Sequence, residues 1–408
     1  MPYTEEDNRR CRADFPSLDR QVASGPLTCF DGPAGTQVPR QVIDSMAQYY
    51  RTSNANTHGA FVTSIETDAI IHEARRAMAD FVGAPDGGTI SFGQNMTTLC
   101  YALSHAFGRL MRPGDEIVIT QLDHEANRGP WIDLEDRGVI IREVLMTSEG
   151  ALDYDDLARQ VNPHTRIVAI GWASNALGTV NDIRLAREIA SAAGAWLIVD
   201  AVHYAPHFAI DAGAIDCDAL FCSVYKFYGP HLGALYMRPG LLDRLPTERL
   251  RSQEATGPER IEMGTLNHAA LAGVIAAIDY RASWGEGSDR RSRLLAATAG
   301  IAAYERELAR HYRDGLCAIR GVTVWGPDFA TQRAPTISFT IDGLSPAEAA
   351  ERLARRGFAV WNGDFFAPRP VEILGLDTSG GLIRAGISMY NTRAEVDALV
   401  RAIEEIVP

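Results

Sequence analysis

Short apolar runs alternate with amphipathic segments through the middle of the chain, and this alternation limits the fold more than any other feature. Residues 183–193 place Leu185, Ile189 and Ala192 on one helical face, and Gly194 follows as a helix stop. Strands that alternate with helices predict an α/β fold, in which helices cover both faces of a mostly parallel sheet. The runs of strand length are Glu116–Thr120, Ile167–Trp172, Trp196–Asp200, Leu220–Ser223 and Gly233–Met237.

An acid and a lysine follow two of these predicted strands. Asp200 ends the apolar run 196–199, and His203 comes soon after it. Lys226 follows the apolar run 219–222 and stands just before a Gly-Pro turn at residues 229–230. Because ligands bind at the carboxyl ends of parallel strands, we expect Asp200 and Lys226 to meet in one site. The order of strand, acid, strand and lysine is that of a pyridoxal 5'-phosphate (PLP) site.

PLP requires an amine for a Schiff base, an anion beside its pyridinium nitrogen, and donors for its phosphate. Lys226 supplies the amine and Asp200 the anion. Asp200 is predicted to keep the ring nitrogen protonated, so that the ring withdraws electrons from the substrate α-carbon. Once the substrate amine displaces it from the aldimine, Lys226 can act as the general base that moves the α-proton.

Other motifs stand in a fixed order around these two residues. With them, the chain from Phe30 to Leu399 resembles the fold-type I PLP enzymes of the class V aminotransferase family, and within it the cysteine desulfurase-like branch. The motifs that carry this resemblance are Asn54–His58, Asp123–Asn127, Ser174–Thr179, Gly264–Thr265 and Arg384 before Met389–Thr392.

The resemblance implies two domains. A large PLP-binding domain, residues 26–269, has a mostly parallel seven-stranded sheet, and residues 1–25 and 270–408 form a smaller α+β domain. The pattern after residue 270 agrees with this, since a long helical region precedes two strands, Val322–Trp325 and Thr336–Ile341. Two capping-box signals, at residues 345–348 and 392–395, predict helix starts. The resemblance also implies a homodimer with active sites at the interface.

The resemblance assigns cofactor contacts residue by residue. It implies that His124 stacks on the pyridine ring, that Asn175 lies near the ring hydroxyl, and that His203 also touches the cofactor. A helix that starts near Met96 favours anions at its N-terminus. The residues implied at the phosphate are Met96, Thr97 and Ser223, with Thr265 reaching the phosphate of the neighbouring subunit.

Substrate contacts are implied in the same way. Arg384 matches the arginine that binds the substrate carboxylate, for which a planar bidentate donor is suited. Asn56 and His58 are expected to contact the substrate, and Phe366 to line its pocket. His124, Asp200 and Lys226 are the predicted catalytic set.

The chain also departs from the family pattern. His203 and Tyr225 stand where relatives usually have Gln and His. Residues 361–367 align with the loop that carries the desulfurase cysteine, and Phe366 takes that position. A phenyl ring cannot attack sulfur, and persulfide formation requires a mobile thiolate. Since all six cysteines lie outside this loop, desulfurase activity by the usual route is not expected.

Composition narrows the class of protein. A chain of 408 residues exceeds the usual size of a single core. The net charge of -13 argues against nucleic acid and against an anionic membrane as partner. Residues 1–7 are acidic and lack the apolar core of a signal peptide. There is no CxxC pair, and the longest apolar stretches are about half of the ~20 residues that span a bilayer. These observations predict a cytoplasmic enzyme.

Each candidate has a structural alternative. The pair His124-Glu125 is reminiscent of a metalloprotease helix, but Arg128 stands where the second histidine is required, so no metal is predicted. Lys226 could be a solvated lysine and Arg384 an ion-pair partner. Asp200 and Thr97 could cap helices. Residues 54–58 could shape a turn, and Trp361 and Phe366 could be packing residues.

The reaction itself stays open. Transamination and β-elimination, such as carbon-sulfur cleavage of a cysteine derivative, diverge after loss of the α-proton. Epimerisation would return that proton to the other face. A protein that binds PLP or an amino acid without turnover is the alternative from another class, although a binder has no need of an ordered acid-base set.

Overall fold

The computed structural model describes residues 3–408 and contains four sheets. Strands β6 to β9 alternate with helices along the chain, as the sequence predicts. The strands are β1 Gln21–Val22, β2 Gly25–Pro26, β3 Thr28–Cys29, β4 Ile90–Gly93, β5 Glu116–Thr120, β6 Ile140–Val144, β7 Thr165–Gly171, β8 Trp196–Asp200, β9 Ala219–Ser223, β10 Gly233–Met237, β11 Val322–Trp325, β12 Thr336–Ile341, β13 Phe358–Ala359, β14 Trp361–Gly363 and β15 Leu382–Gly386.

Helices cover the main sheets. None of the helices formed by residues 3–408 is both long and apolar enough to cross a membrane. The helices are α1 Glu5–Arg12, α2 Arg40–Thr52, α3 Val62–Val82, α4 Met96–Gly108, α5 Gly129–Ile132, α6 Tyr154–Gln160, α7 Ile183–Ala192, α8 Ala212–Ile215, α9 His268–Ala282, α10 Arg290–Cys317, α11 Pro346–Arg355, α12 Pro368–Ile373 and α13 Arg393–Glu404.

The large sheet has seven strands in the order β4-β10-β9-β8-β7-β5-β6. Only β10 runs antiparallel to its neighbours, β4 and β9, so the predicted α/β fold with a mostly parallel sheet is confirmed. Successive residues of each strand enter cores on opposite faces, because strand side chains alternate. For example, Val118 and Leu197 pack on one face, and Ile117 and Ile198 on the other.

The small domain is built on a four-stranded antiparallel sheet in the order β11-β12-β15-β14. The N-terminal residues contact Met389 of the C-terminal segment: the Tyr3 hydroxyl donates to Met389 O at 3.1 Å, and Asn8 Nδ2 donates to the same oxygen at 2.7 Å. Helix α9 packs in the core of the large sheet, although it crosses the domain boundary predicted at residue 270, and that boundary stays a prediction. Met1 and Pro2 lie outside the described residues.

The two predicted capping boxes differ in completeness. At the start of α13, Thr392 N–H donates to Glu395 Oε2 at 2.9 Å and Glu395 N–H donates to Thr392 Oγ1 at 3.2 Å, which completes the box. At α11, Ser345 accepts from Glu348 N–H at 3.3 Å, but the Glu348 carboxylate turns to Arg352 at 2.5 Å. An ion pair one turn along the helix has therefore replaced the reciprocal bond.

Candidate active site

A cavity lies at the carboxyl ends of β8 and β9, where the sequence places an acid and a lysine. Asp200 ends β8, and Lys226 follows β9. Eight of the predicted site residues share this cavity, which confirms that they meet although it does not test their roles. They are Met96, Thr97, His124, Asn175, Asp200, His203, Ser223 and Lys226.

Lys226 is the only lysine among the 39 basic Lys and Arg residues of the chain. Its side chain is buried, with 5% of the residue exposed, and no carboxylate of residues 3–408 lies within 4.0 Å of its amine. Burial lowers the pKa of Lys226 to about 8, and the positive charge of Arg384 acts in the same direction, whereas Asp200 opposes them. The amine is therefore partly neutral near physiological pH.

Asp200 is buried beneath the same cavity. Its Oδ1 accepts from Val202 N–H at 2.8 Å, which fixes the carboxylate. Burial raises the pKa of Asp200, while the bond from Val202 and the charge of Lys226 lower it. A cation placed against this carboxylate would favour the ionised form.

His124 follows β5 in a loop at the same edge of the sheet. Its Nδ1 accepts from Ala126 N–H at 3.0 Å, so this nitrogen carries no proton. Burial, reinforced by the charges of Lys226 and Arg384, lowers the pKa of His124 to about 3. The imidazole is therefore neutral and offers a flat face. On its other side lies Phe366, whose ring centroid is 5.9 Å away at an interplanar angle of 26°.

The N-terminus of α4 supplies a cradle for an anion. Asn95 caps the helix by accepting from Thr98 N–H at 2.9 Å, and the first N–H groups of a helix lack partners within it. Met96 and Thr97 line the cavity there. Gly233 lets the helix come this close to β10, because a Cβ at that position would lie 2.4 Å from the Asn95 carbonyl carbon.

Three buried polar atoms around the cavity have no hydrogen-bond partner within residues 3–408: Asn175 Oδ1, His203 Nδ1 and Arg384 Nε. Their side chains are otherwise held in place. Asn175 Nδ2 donates to Phe365 O at 2.8 Å, and His203 Nε2 lies 2.9 Å from Thr336 Oγ1. Buried polar atoms without partners are rare in native structures and mark places where a ligand completes the network. With the amine, the buried acid and the helix N-terminus, this set fits PLP.

Arg384 lies on β15 and lines an outer cavity of about 420 Å³, which shares His124, Asn175, Tyr225 and Lys226 with the inner cavity. Its Nη1 donates to Asn175 O at 2.9 Å, and its guanidinium lies 4.1 Å from the centre of the Phe365 ring. Burial lowers the pKa of Arg384 to about 9, and Asp31 opposes this. Phe366, predicted to line the substrate pocket, does line the outer cavity together with Trp361.

The structure does not bring Asn56, His58 and Thr265 to Lys226 of the same chain. These three line a separate surface cavity of about 370 Å³. The His58 imidazole is exposed there, and its Nδ1 lies 3.5 Å from Asp68. Their predicted contacts with substrate and, for Thr265, with the neighbouring subunit's phosphate stay predictions.

Several residues of the site escaped sequence reasoning. Thr336 holds His203 from 133 positions away, and nothing local in the sequence links the two. Asp123 is buried under the cavity, where burial raises its pKa to about 7 and Gly171 N–H donates to it at 2.8 Å. Its place directly before His124 was a usable signal. A stronger signal for the location of the site was that Lys226 is the one lysine in the sequence.

Comparisons with known proteins agree with this geometry. The family model described as aminotransferase class-V matches residues 28–399. A cysteine desulfurase of Yersinia pseudotuberculosis serotype O:1b (strain IP 31758) is 34% identical over 413 residues, 97% of each chain. The solved apo cysteine desulfurase of Thermococcus onnurineus NA1 is similar, with a TM-score of 0.88, 27% identity and 98% of each chain covered. The Escherichia coli cysteine desulfurase CsdA, solved in an S-sulfonic acid form, gives a TM-score of 0.85 at 27% identity and the same coverage.

Proposed function

We propose that this chain, which belongs to the class V aminotransferase family, removes the α-proton of an amino acid substrate. It then releases the substituent on the β-carbon of that substrate. The family is PLP-dependent, and the chain is accordingly a PLP-dependent enzyme. The observation that carries the proposal is the meeting of a buried unpaired lysine, a buried acid and an arginine with a free Nε in joined cavities.

Bound PLP supplies an electron sink that stabilises negative charge at the substrate α-carbon. We assign Asp200 to the ring nitrogen, where its carboxylate balances a positive charge, and His124 to the ring face. Asn175 Oδ1 and His203 Nδ1 are the atoms left to meet the ring substituents. The start of α4 and the Ser223 hydroxyl would hold the phosphate.

Lys226 is assigned as the base. Its amine accepts the α-proton once it is neutral, and burial has lowered its pKa to about 8, close to the pH at which an efficient general base operates. His124 cannot replace it, because its pKa of about 3 makes the imidazole a poor proton acceptor at neutral pH. Loss of the Lys226 amine should therefore abolish turnover.

Arg384 is assigned to the substrate carboxylate. Asn175 O occupies Nη1, and Nε has no partner in residues 3–408, so the Nε edge can receive a carboxylate as a planar fork. The Phe365 ring covers the guanidinium, which keeps water from this ion pair. With the carboxylate and amine fixed, the α-proton lies where Lys226 can reach it.

Release of a β-substituent is favoured over persulfide formation. Phe366, which the resemblance aligns with the desulfurase cysteine, lines the outer cavity, and none of the cysteines lines either the inner or the outer cavity within residues 3–408. Burial raises the pKa of the Cys100 and Cys222 thiols well above the ordinary value, so neither is a nucleophile. For an S-substituted cysteine, elimination with one water gives a thiol, pyruvate and ammonium, without any oxidant or reductant.

Mass spectrometry of the bound cofactor and the products tests this proposal. Single amino acids, including S-substituted cysteines, are mixed with the purified protein without a keto acid. Unchanged PLP with pyruvate and a released thiol is the expected result, and Lys226→Ala should abolish it. Pyridoxamine phosphate would instead establish transamination, and conversion of the L-amino acid to its D-isomer without other products would establish epimerisation. Full activity of Lys226→Ala would refute the assigned base.

We also propose a homodimer. Apolar side chains are exposed on α2 and α3 and beside the cavity of Asn56, His58 and Thr265. Exposed apolar patches mark protein interfaces, and these side chains are the candidates for one. A single monomer mass in sedimentation at micromolar concentration would contradict the dimer. The exposed side chains are Ile43, Tyr50, Phe61, Val62, Ile65, Leu250 and Met263.

A cytoplasmic location is the remaining part of the proposal. The six cysteines are all free, and five of them are buried. Unpaired cysteines suit a reducing compartment. Recovery of the enzyme in a membrane or periplasmic fraction would contradict this location.

A further inference from the structure

Phe365 and Phe366 form an unusual wall of the outer cavity. Both adopt the left-handed backbone conformation, with φ of 59° and 56°, which bulky residues rarely occupy. The large domain holds this backbone in place: Asn175 Nδ2 donates to Phe365 O at 2.8 Å, and Glu125 N–H donates to Phe366 O at 2.7 Å. Strained conformations persist only where the surroundings fix them. The wall is therefore built into the site.

The segment that follows is anchored as well. Arg369, at the start of α12, binds Glu143 of the large domain, with Nη2 2.8 Å from Oε2. Ala367 and Val371 are buried in an apolar cluster with Leu122 and Leu177. Anchors on both sides keep residues 365–371 against the large domain. This segment suits a fixed pocket wall better than a mobile arm that carries a group out of the site.

The wall presents aromatic surface that the protein itself leaves uncovered. Phe366 is 74% exposed and Trp361 is 50% exposed, yet both line the outer cavity beside His124 and Arg384. Aromatic rings contribute most to binding where a partner removes them from water. A substrate whose carboxylate lies on Arg384 would extend its side chain into the same cavity.

The charges of the outer cavity restrict that side chain further. Arg384 and Lys226 are the cations that line it, and both have assigned roles at the substrate backbone. Asp364 is the carboxylate on the wall, where its Oδ1 accepts from Phe366 N–H at 2.9 Å. A second carboxylate on the substrate would meet this anion and find no further cation among the described residues that line the outer cavity. An acidic side chain is therefore disfavoured.

We infer that the substrate is an α-amino acid whose β-substituent is neutral and aromatic, or apolar and comparably large, and that Trp361 and Phe366 select it. This inference rests on the proposed function and deepens it. Cysteine itself, whose β-substituent is a single sulfur, would leave the aromatic wall exposed to water and should be a poor substrate.

The test compares S-benzyl-, S-methyl- and S-carboxymethyl-L-cysteine with the holoenzyme, with pyruvate release as the readout. S-benzylcysteine is expected to give the highest kcat/KM, about tenfold or more above the other two, because a hydrophobic pocket discriminates by about 10–200-fold for small apolar differences. Phe366→Ala should lower the ratio of kcat/KM for S-benzyl to S-methyl substrate about tenfold. Ile140→Ala, which removes an exposed apolar side chain that lines neither cavity, serves as the matched control and should leave the ratio unchanged.

A second readout does not depend on turnover. Calorimetric titration of the cofactor-free protein with 3-phenylpropanoate and with succinate should show tighter binding of 3-phenylpropanoate, and Phe366→Ala should remove the difference. If no pyruvate forms but this preference is present, the proposed function fails and the inference stands. Pyruvate formation with equal kcat/KM for all three substrates would overturn the inference alone. The inference would also be overturned if Phe366→Ala changed the oligomeric state but left the ratio of kcat/KM for S-benzyl- and S-methylcysteine unchanged.

Discussion

The burial of Lys226 should appear as a pH-dependent instability of the cofactor-free protein. Burial lowers its pKa from 10.5 to about 8, and this difference corresponds to a penalty of about 3 kcal/mol for the protonated amine. Below pH 8 the folded and unfolded forms both hold the proton, so the full penalty applies. Between pH 8 and 10.5 only the unfolded chain holds it, and the free energy of unfolding therefore rises with pH. Above pH 10.5 the penalty is gone.

Lys226→Met removes the amine and keeps a long apolar side chain. At pH 7 the variant should be more stable than the cofactor-free wild type by up to about 3 kcal/mol, since it lacks the penalty. That advantage should shrink between pH 8 and 10. Urea denaturation of both proteins at intervals from pH 7 to 10 measures it directly.

The same comparison in an Asp200→Asn background is the control. Asp200 opposes the effect of burial on Lys226, so the pH-dependent difference should be at least as large without it. A constant difference in stability from pH 7 to 10 would refute the reasoning. Disappearance of the difference in the Asp200→Asn background would assign it to the carboxylate instead of to burial.

Two further predictions concern Arg384 and Glu143. Arg384→Lys keeps the positive charge but loses one of the two hydrogen bonds to the substrate carboxylate. Because a hydrogen bond to a charged group contributes ~1.5–3 kcal/mol, kcat/KM should fall by about 10- to 100-fold. A change below threefold in steady-state kinetics would contradict the assigned carboxylate contact. Although partial burial raises it, the pKa of Glu143 is lowered to about 2 by hydrogen bonds from Arg369, Gln121 and Arg128. The ionised Glu143 carboxylate therefore stabilises the folded protein above about pH 4.5, and this contribution is lost as the pH falls towards 2. Glu143→Gln should lack the contribution at every pH. Hydrogen exchange of residues 361–373 should quicken in that variant at pH 7, and unchanged protection would count against the anchor.

The sequence predicted five of the seven strands of the large sheet, all but β4 and β6, because each of the five has an apolar centre. The predicted strands 116–120, 196–200 and 233–237 match β5, β8 and β10 residue for residue. Such runs are typical of strands buried on both faces. Since the chain direction of a parallel sheet fixes where each strand ends, Asp200 and Lys226 could be placed in one site before their distance was known.

Contacts between distant segments could not be predicted in this way. The bond from His203 to Thr336 joins the two domains, and the backbone bonds that hold Phe365 and Phe366 come from Asn175 and Glu125. Each depends on the docking of the small domain, which no local pattern encodes. The single chain likewise leaves Asn56 and His58 in a cavity apart from Lys226.

The presence of a single lysine in the chain has a practical consequence. PLP is an aldehyde, and on most proteins it also condenses with scattered surface lysines, which obscures how much of it occupies the active site. Here one side-chain amine exists in the whole chain, and it is the buried one. After borohydride reduction, the side-chain-bound label per polypeptide should count occupied sites directly, with any label on the terminal amine separable by peptide mapping.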